Sequence, residues 1–252
     1  MKDRGTSRRA DITPEHLTAM NEGRAASRTL AEALAVDHTL LLRSVLPDAE
    51  DELRATVVEA QSRGILGRMQ LIGAALERSL DTDQLARLAA HPSDTVRGWS
   101  CFAAAAEDTE PARLLTRLRP FADNSHFAVR EWAWMAARPI LVTNLDSSIA
   151  LLAKWTKDKS ERTRRFASEA LRPRGVWATH IAEFKADPDR GLPILNPLRV
   201  DPSRYVQDSV ANWINDAAKT NPDWARILCR TWRTDSPTEA TERITRRALR
   251  SL

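Results

Sequence analysis

Val96-Arg97, Val129-Arg130, Thr163-Arg164, Val206-Gln207 and Ile244-Thr245 repeat one short phrase down the chain, and the interval between them decides the fold. The steps are 33, 34, 43 and 38 residues, and Ala133, Ala167 and Ala248 sit four places after the first residue of their phrases. Two helices of this length cannot bury their own apolar face, so a repeat at this period implies helix pairs stacked on one another. The expected fold is all-α, a right-handed α-solenoid of helical repeats.

Outward from the phrases, each second helix is preceded by a turn rich in capping residues: His91-Pro92-Ser93-Asp94, Asp123-Asn124-Ser125, Asp158-Lys159-Ser160-Glu161 and Asp201-Pro202-Ser203. Asp158 with Glu161 has the spacing of a capping box, and Asp201-Pro202 reads as an N-cap followed by proline at the first helical position. The 43-residue step holds an irregular insert, Leu171-Arg172-Pro173-Arg174-Gly175 and then Leu192-Pro193-Ile194-Leu195-Asn196-Pro197. Loops that interrupt a regular array tend to carry function. Toward the N-terminus, Thr13-Pro14-Glu15 starts a helix, and helical patterning continues over 27–35, 37–46, 51–61 and 66–80. Residues 1–13 are expected to be a disordered lead, and 14–252 a single repeat domain, clearest over 81–252.

Composition agrees with helix over strand: among 252 residues there are eight Gly and one Tyr, with 42% apolar residues for a core. Cys101 and Cys229 stand alone, without the spacing of a zinc site or a disulfide framework. No apolar run is long enough to span a bilayer and no signal core opens the chain, so the expectation is a soluble, cytoplasmic protein without membrane contact. The net charge of +4 is unevenly spread: residues 160–252 carry 17 Lys and Arg against 12 Asp and Glu, and residues 1–159 carry 21 against 22. A basic C-terminal part points to a polyanion, nucleic acid first among them. An ordinary arginine-rich surface is the alternative.

Catalytic motifs of other kinds are absent: there is no GxSxG, Walker loop, GxGxxG or HExxH, and the five His are scattered. In the helix near 126–138, Val129, Ala133 and Ala136 form an apolar stripe from which Glu131 is offset, between Arg130 and Trp132. In the helix near 202–219, Val206, Val210, Trp213 and Ala217 mark the buried stripe, while Asp208, Asn212 and Asp216 recur every four residues on another face. Lys219 follows one turn further. Between these helices, Arg172, Arg174 and Trp177 place two guanidiniums and an indole in a Pro/Gly loop. Each has a plainer reading. A carboxylate on a helix is usually a solvated charge, an indole is usually core, and Arg97, Arg130 and Arg164 at equivalent positions could form a ladder of packing between repeats.

Three stretches carry a resemblance: Phe127-Ala128-Val129-Arg130-Glu131-Trp132-Ala133-Trp134, then Arg164 through Ala178, then Asp201-Pro202-Ser203-Arg204-Tyr205-Val206 through Asp216. Their order and spacing resemble the AlkC branch of the AlkC/AlkD superfamily of HEAT-like-repeat DNA glycosylases, which act in bacterial alkylation repair. The likeness covers about 85–240 well, and 14–84 by helical character alone. It departs at Trp213, where the family often has His, and at Ala170, where it often has Gly. The resemblance implies a C-shaped array of HEAT-like repeats that grips duplex DNA and excises cationic N3- or N7-alkylated bases, without a metal or other cofactor. It implies a monomer that works at the nucleoid, in a short form without the immunoglobulin-like domain that some relatives append.

By motif position, the resemblance makes Glu131 and Asp216 the carboxylates facing the lesion and Trp177 the aromatic beside the damaged nucleotide. Candidate DNA contacts are Arg97, Arg130, Arg164, Arg165, Arg172, Arg174, Arg204, Asn212 and Lys219. The chemistry is coherent: an alkylated base leaves as a neutral group, and a carboxylate stabilises the positive charge that develops on the sugar. Two other functions fit the same repeats, a DNA-structure binder without catalysis and a protein-binding scaffold. Carboxylates kept facing a polyanion favour the enzyme over the binder, and the arginine-rich insert disfavours the scaffold.

Overall fold

The computed structural model describes residues 5–107, 109–175 and 177–252. Residues 1–4 of the expected lead and Val176 of the second motif stretch lie outside these. Among the described residues the fold is all-α. The helices are α1 (Pro14–Asn21), α2 (Leu30–Ala33), α3 (His38–Val45), α4 (Asp51–Ala60), α5 (Ile65–Ser79), α6 (Thr82–Ala89), α7 (Asp94–Ala106) and α8 (Pro111–Ala122). They continue as α9 (Phe127–Thr143), α10 (Leu145–Trp155), α11 (Glu161–Glu169), α12 (Ala182–Ala186), α13 (Leu192–Leu198), α14 (Arg204–Ala218), α15 (Pro222–Asp235) and α16 (Glu239–Ala248). None of the described helices is long and apolar enough to cross a membrane.

Packing divides the chain into two compact units, where the sequence reading expected one domain over 14–252. The first is Met1–Thr109 with Asn124–Ala136, and the second is Glu110–Asp123 with Ala137–Leu252. Each set of helices buries its own apolar side chains: Leu41, Val57, Ile72 and Trp99 in the first, Phe166, Val210, Trp213 and Ile244 in the second. The division falls inside α9.

In the first unit α5 lies against α4 and α7, and α6 packs on α7. The approach of α5 to α7 needs Gly73, since a Cβ there would stand 2.4 Å from the Cβ of Phe102. The segment expected to be a disordered lead is tied down from its described start. Thr6 N–H donates to Glu32, Thr29 Oγ1 donates to the Thr6 carbonyl, and Arg9–Asp11 forms a 3-10 turn. In the second unit α11, α14 and α16, each the second helix of a repeat, pack in a row, with α10, α13 and α15 against them. The insert in the 43-residue step is partly regular, since Leu192–Leu198 is the helix α13.

The repeated phrase has a structural cause. Arg130 Nη1 donates to the carbonyls of Asn124 and Ser125 at 2.8 and 2.9 Å, and Arg164 Nη1 to those of Asp158 and Lys159 at 3.0 Å each. Gln207 Nε2 donates to the Asp201 carbonyl at 2.8 Å, and Arg97 reaches the Pro92 carbonyl at 3.5 Å. Each side chain folds back over the turn that precedes its own helix. The residue six places before it accepts from the N–H two residues on: His91 from Ser93, Asn124 from His126, Asp158 from Ser160 and Asp201 from Ser203. The phrase marks a turn held from both sides. It also corrects two expected caps, because Ser160 and Ser203 occupy the N-cap positions while Asp158 and Asp201 make Asx turns two residues earlier.

Candidate functional site

The second unit contains a network of charges around the loop that leaves α11. Glu169, the last residue of α11, is buried against α14 and accepts from Ser209 Oγ at 2.6 Å and from Arg172 Nη1 at 2.8 Å. Ser168 Oγ donates in turn to Ser209 at 2.8 Å. Arg172 also binds Asp216 on α14, with Nε at 2.9 Å and Nη2 at 2.8 Å from Oδ2. One guanidinium thus bridges two buried carboxylates. Lys219 Nζ lies 3.7 Å from Asp216 Oδ1, and Arg174 Nε donates to the Asp216 carbonyl at 3.1 Å.

Burial pushes the Glu169 carboxyl up, but Arg165, Arg172 and the Ser209 hydroxyl outweigh it and hold the group below the usual carboxylate range. Burial works against the charge of Arg172 as well, and Glu169 and Asp216 reverse that. Both partners keep their charge because each removes the other's desolvation cost.

Arg138, near the end of the apolar run of α9, latches the same loop. It donates to the carbonyls of Ala170 at 2.9 Å, Arg172 at 2.7 Å and Thr179 at 3.1 Å. Burial, and then the charge of Arg172, lowers its pKa to about 10. The loop is further held by Trp213 Nε1, which donates to the Leu171 carbonyl at 2.9 Å, and by Ile181 N–H, which donates to the Pro173 carbonyl at 3.0 Å. At its tip, Trp177 is 43% exposed and has φ +56°. A bulky residue in the left-handed region stores about 1–3 kcal/mol of strain. The loop therefore presents an indole at a backbone cost, and the network that holds the loop, Arg138, Arg165, Arg172, Arg174 and Lys219 with Glu169 and Asp216, is net positive.

Glu131 belongs to the first unit. Trp134 Nε1, from a buried indole one turn along α9, donates to Glu131 Oε2 at 2.7 Å. Trp132 is buried against Phe102, edge to face at 6.2 Å.

The other candidates separate by environment. Arg164 is committed to structure: besides its turn, it grips Asp201 through Nε at 2.6 Å and Nη2 at 3.0 Å. Arg164 thereby ties its repeat to the next, as the ladder reading has it, whereas Arg97 and Arg130 donate to the turns before their own helices. Arg165 lies over the Tyr205 ring at 4.6 Å and 3.5 Å from Glu169. Asn212 accepts from Arg250 at 2.9 Å. Arg204 and Lys219 are exposed. Asp208 and Asp216 do not share a face: Asp208 binds Arg243 and Arg247 on α16, at 2.7 and 2.9 Å, and Asp216 turns toward Arg172. Eight residues advance a helix by two turns and about 80° more, enough to move from one neighbour to the next.

Sequence reasoning passed over Glu169, Arg138 and Ser209. The signals were present: Arg165, Glu169 and Arg172 recur at four and three residues, and Arg138 is a lone charge within Trp132–Ile140. Among the described residues no three His, Cys, Asp or Glu side chains gather as a metal ion requires.

A family model described as "DNA alkylation repair enzyme" matches residues 104–228, which hold the charge network, Glu131 and Trp177. The Bacillus subtilis protein YhaZ is 44% identical over 97 residues, 38% of this chain and 27% of the relative. The Pseudomonas fluorescens alkylpurine DNA glycosylase AlkC, solved bound to DNA containing an abasic site analog, is similar with a TM-score of 0.68 and 25% identity, over 96% of this chain and 63% of that one. AlkD2 from Streptococcus mutans is similar in fold, with a TM-score of 0.61 at 18% identity over 78% of this chain and 97% of that one. The fold is that of HEAT-like helical repeats. The chain spans about a quarter of the length of YhaZ and under two thirds of that of AlkC.

Proposed function

The chain belongs to the AlkC/AlkD superfamily, and from that premise we propose that it is a DNA glycosylase that excises cationic N3- or N7-alkylated bases from duplex DNA. The observation that carries the reading is the likeness to an alkylpurine DNA glycosylase over nearly the whole chain. The net positive charge around the Arg172–Gly175 loop supports a phosphate-bearing partner. An exposed indole held at a strained backbone angle supports contact with a nucleotide, since the face of a Trp attracts a cationic base by about 1 kcal/mol.

The reaction asks little of the protein in acid–base terms. A cationic alkylated base departs as a neutral molecule, so the C–N bond breaks without a general acid. Positive charge builds on the deoxyribose, and a preorganised carboxylate lowers that barrier by several kcal/mol. Glu131 suits this task, because the Trp134 N–H holds its carboxylate in place. Asp216 meets the reaction already bound to Arg172, so its part is to steer the attacking water and to anchor the cationic loop. Trp177 packs beside the damaged nucleotide. Arg174, presented by the loop, and Arg204 and Lys219 on the surface are the DNA contacts best placed to meet phosphates, while Arg172 holds the loop between Glu169 and Asp216.

The pairing of Asp216 with Arg172 favours one alternative, a DNA binder without catalysis, in which the carboxylate only organises the loop. Release of free 7-methylguanine and 3-methyladenine from methylated duplex DNA, with and without chelator, separates the two. The glycosylase releases base in both conditions. Glu131→Gln slows release about tenfold for each 1.4 kcal/mol of lost stabilisation and leaves DNA affinity equal or higher. A wild-type protein that binds methylated DNA and releases no base establishes the binder instead.

A further inference from the structure

A cavity in the N-terminal unit involves none of the residues above. About 200 Å³ lies between the 3-10 turn Arg9–Asp11, the segment Leu34–Asp37 that enters α3, and Gln61 and Arg68 around the α4–α5 junction. Two guanidiniums line it, Arg9 and Arg68, and among the described residues neither has a carboxylate at ion-pair distance. Arg68 donates through Nη2 to the carbonyls of Gln61 and Arg63, at 3.0 and 3.3 Å, which fixes the orientation of its guanidinium. Its Nε is buried without an acceptor. Gln61 Nε2 donates to Asp37 Oδ1 at 2.9 Å, and Gln61 Oε1 is buried without a donor. The one acid in the lining is already committed: Asp37 Oδ1 also caps α3 by accepting from Thr39 and Leu40 N–H at 2.8 and 3.1 Å.

Two like charges facing one cavity, a buried donor lacking an acceptor and a buried amide oxygen lacking a donor call for one kind of occupant. It is anionic, rich in acceptor oxygens, and carries a hydroxyl. We propose that this cavity is an oxyanion site that takes a phosphate group, held by Arg9 and by Arg68 Nε–H, with Gln61 Oε1 accepting from a protonated phosphate oxygen or from a hydroxyl on the attached sugar. Guanidinium forks match phosphate oxygens in geometry as well as charge. Burial acts against the charge of Arg68, Asp37 supports it and Arg9 acts against it, and a bound anion relieves the first and the last. The phosphate comes either from a DNA backbone or from a free phosphorylated small molecule. The site stands apart from the glycosylase reading, since its occupancy is read without any base release.

The test is thermal unfolding and calorimetric titration of the whole chain with inorganic phosphate, at pH 7 and constant ionic strength balanced with chloride. Wild type shows a saturable rise in Tm and a titratable heat, and both are lost in Arg9→Ser and in Arg68→Met. Arg9 sits on an exposed turn, so its replacement leaves the fold in place even if Arg68→Met, which also loses two carbonyl bonds, does not fold. A second arm measures binding to undamaged duplex DNA across salt. A fall of about 1 in the slope of log K against log salt in Arg9→Ser identifies a backbone phosphate as the occupant. Loss of the phosphate response with an unchanged DNA slope identifies a free phosphate. A phosphate response retained in Arg9→Ser, or no phosphate response together with an unchanged slope, overturns the proposal.

Discussion

Asp216 and Asp208 lie on the same helix eight residues apart, and their surroundings give them opposite weights. Asp216 is buried, and its loss strands the Arg172 guanidinium between Glu169 and a neutral amide. Asp216→Asn is expected to cost about 3 kcal/mol, the order found when one partner of a buried pair is removed. Asp208 is 40% exposed and shared between Arg243 and Arg247, so Asp208→Asn should cost at most about 1 kcal/mol. Urea denaturation of the two variants measures the difference, and equal losses would contradict the burial argument. A base-release assay on Asp216→Asn is meaningful only below its own unfolding temperature. Glu131→Gln is the cleaner probe, because the Trp134 N–H can still donate to the amide oxygen. Trp177 was the residue most easily misjudged from sequence alone, since an indole between Pro/Gly residues and an apolar helix reads first as core. It is instead exposed, on the loop whose carbonyls Arg138 holds.

At the scale of helices and turns, the repeated phrase is an instruction for the turn before each second helix. Arg164 illustrates the cost of losing it. Its guanidinium makes two carbonyl contacts and a two-point grip on Asp201, and the side chains are 14% and 4% exposed. Arg164→Met is expected to destabilise by about 3 kcal/mol, whereas Arg204→Ala, on the exposed first turn of α14, should change stability by less than about 0.5 kcal/mol. If Arg204 meets a phosphate, the same change lowers the salt slope of DNA binding by about 1. Chemical denaturation paired with a salt titration separates the two kinds of arginine. The positions of the helices were legible from periodicity, and Thr13, Ser93, Ser160 and Thr238 all cap helices by accepting from a backbone N–H in the first turn. The choice of Ser over Asp at two caps was not legible, because both residues cap well and only the chain direction at the turn decides between them.

Over the whole molecule, buried ionisable groups set the response to pH. His38 accepts from Trp99 Nε1 at 3.0 Å, and burial, then the charge of Arg68, lowers its pKa to about 3. Unfolded, it titrates near 6.5, so between these values only the unfolded chain binds the proton. Stability should therefore fall as pH drops below 6.5, by about 1.4 kcal/mol per unit from this group. Glu32 adds a second window. Burial raises its carboxyl, but Arg28, His16 and Thr6 outweigh that and hold it at about 2, so its contribution is present above 4.5 and lost as pH falls toward 2. Free energies of unfolding at pH 7.5, 6.5, 5.5 and 4.5, in wild type and His38→Asn, test the first window. The variant keeps an acceptor for Trp99 and should lose the slope. The uneven charge acts at the same scale: if residues 160–252 carry the DNA contacts, affinity for duplex DNA falls steeply with salt, by about 0.9 in log–log slope per phosphate contact. A flat salt response would remove the nucleic-acid reading.

Sequence alone determined the all-α repeat fold and the stretches that mark the superfamily, because both are written in local terms: a phrase recurring every 33 to 43 residues, apolar stripes at helical spacing, and short runs around Glu131, Trp177 and Asp216. Such features survive any arrangement of the helices they encode. The tertiary structure decided which charges are solvated and which are buried. Arg164 looked like a phosphate contact until Asp201, 37 residues on, was found in its grip. Glu169 went unremarked until Ser209, 40 residues on, was found bonded to it. Asp216 looked like a neighbour of Asp208 until the turn of α14 set them against different helices. The physical reason is common to all three. The energy of a charge depends on what lies within a few ångströms of it in space, and partners about 40 residues away in sequence leave no trace in the local pattern.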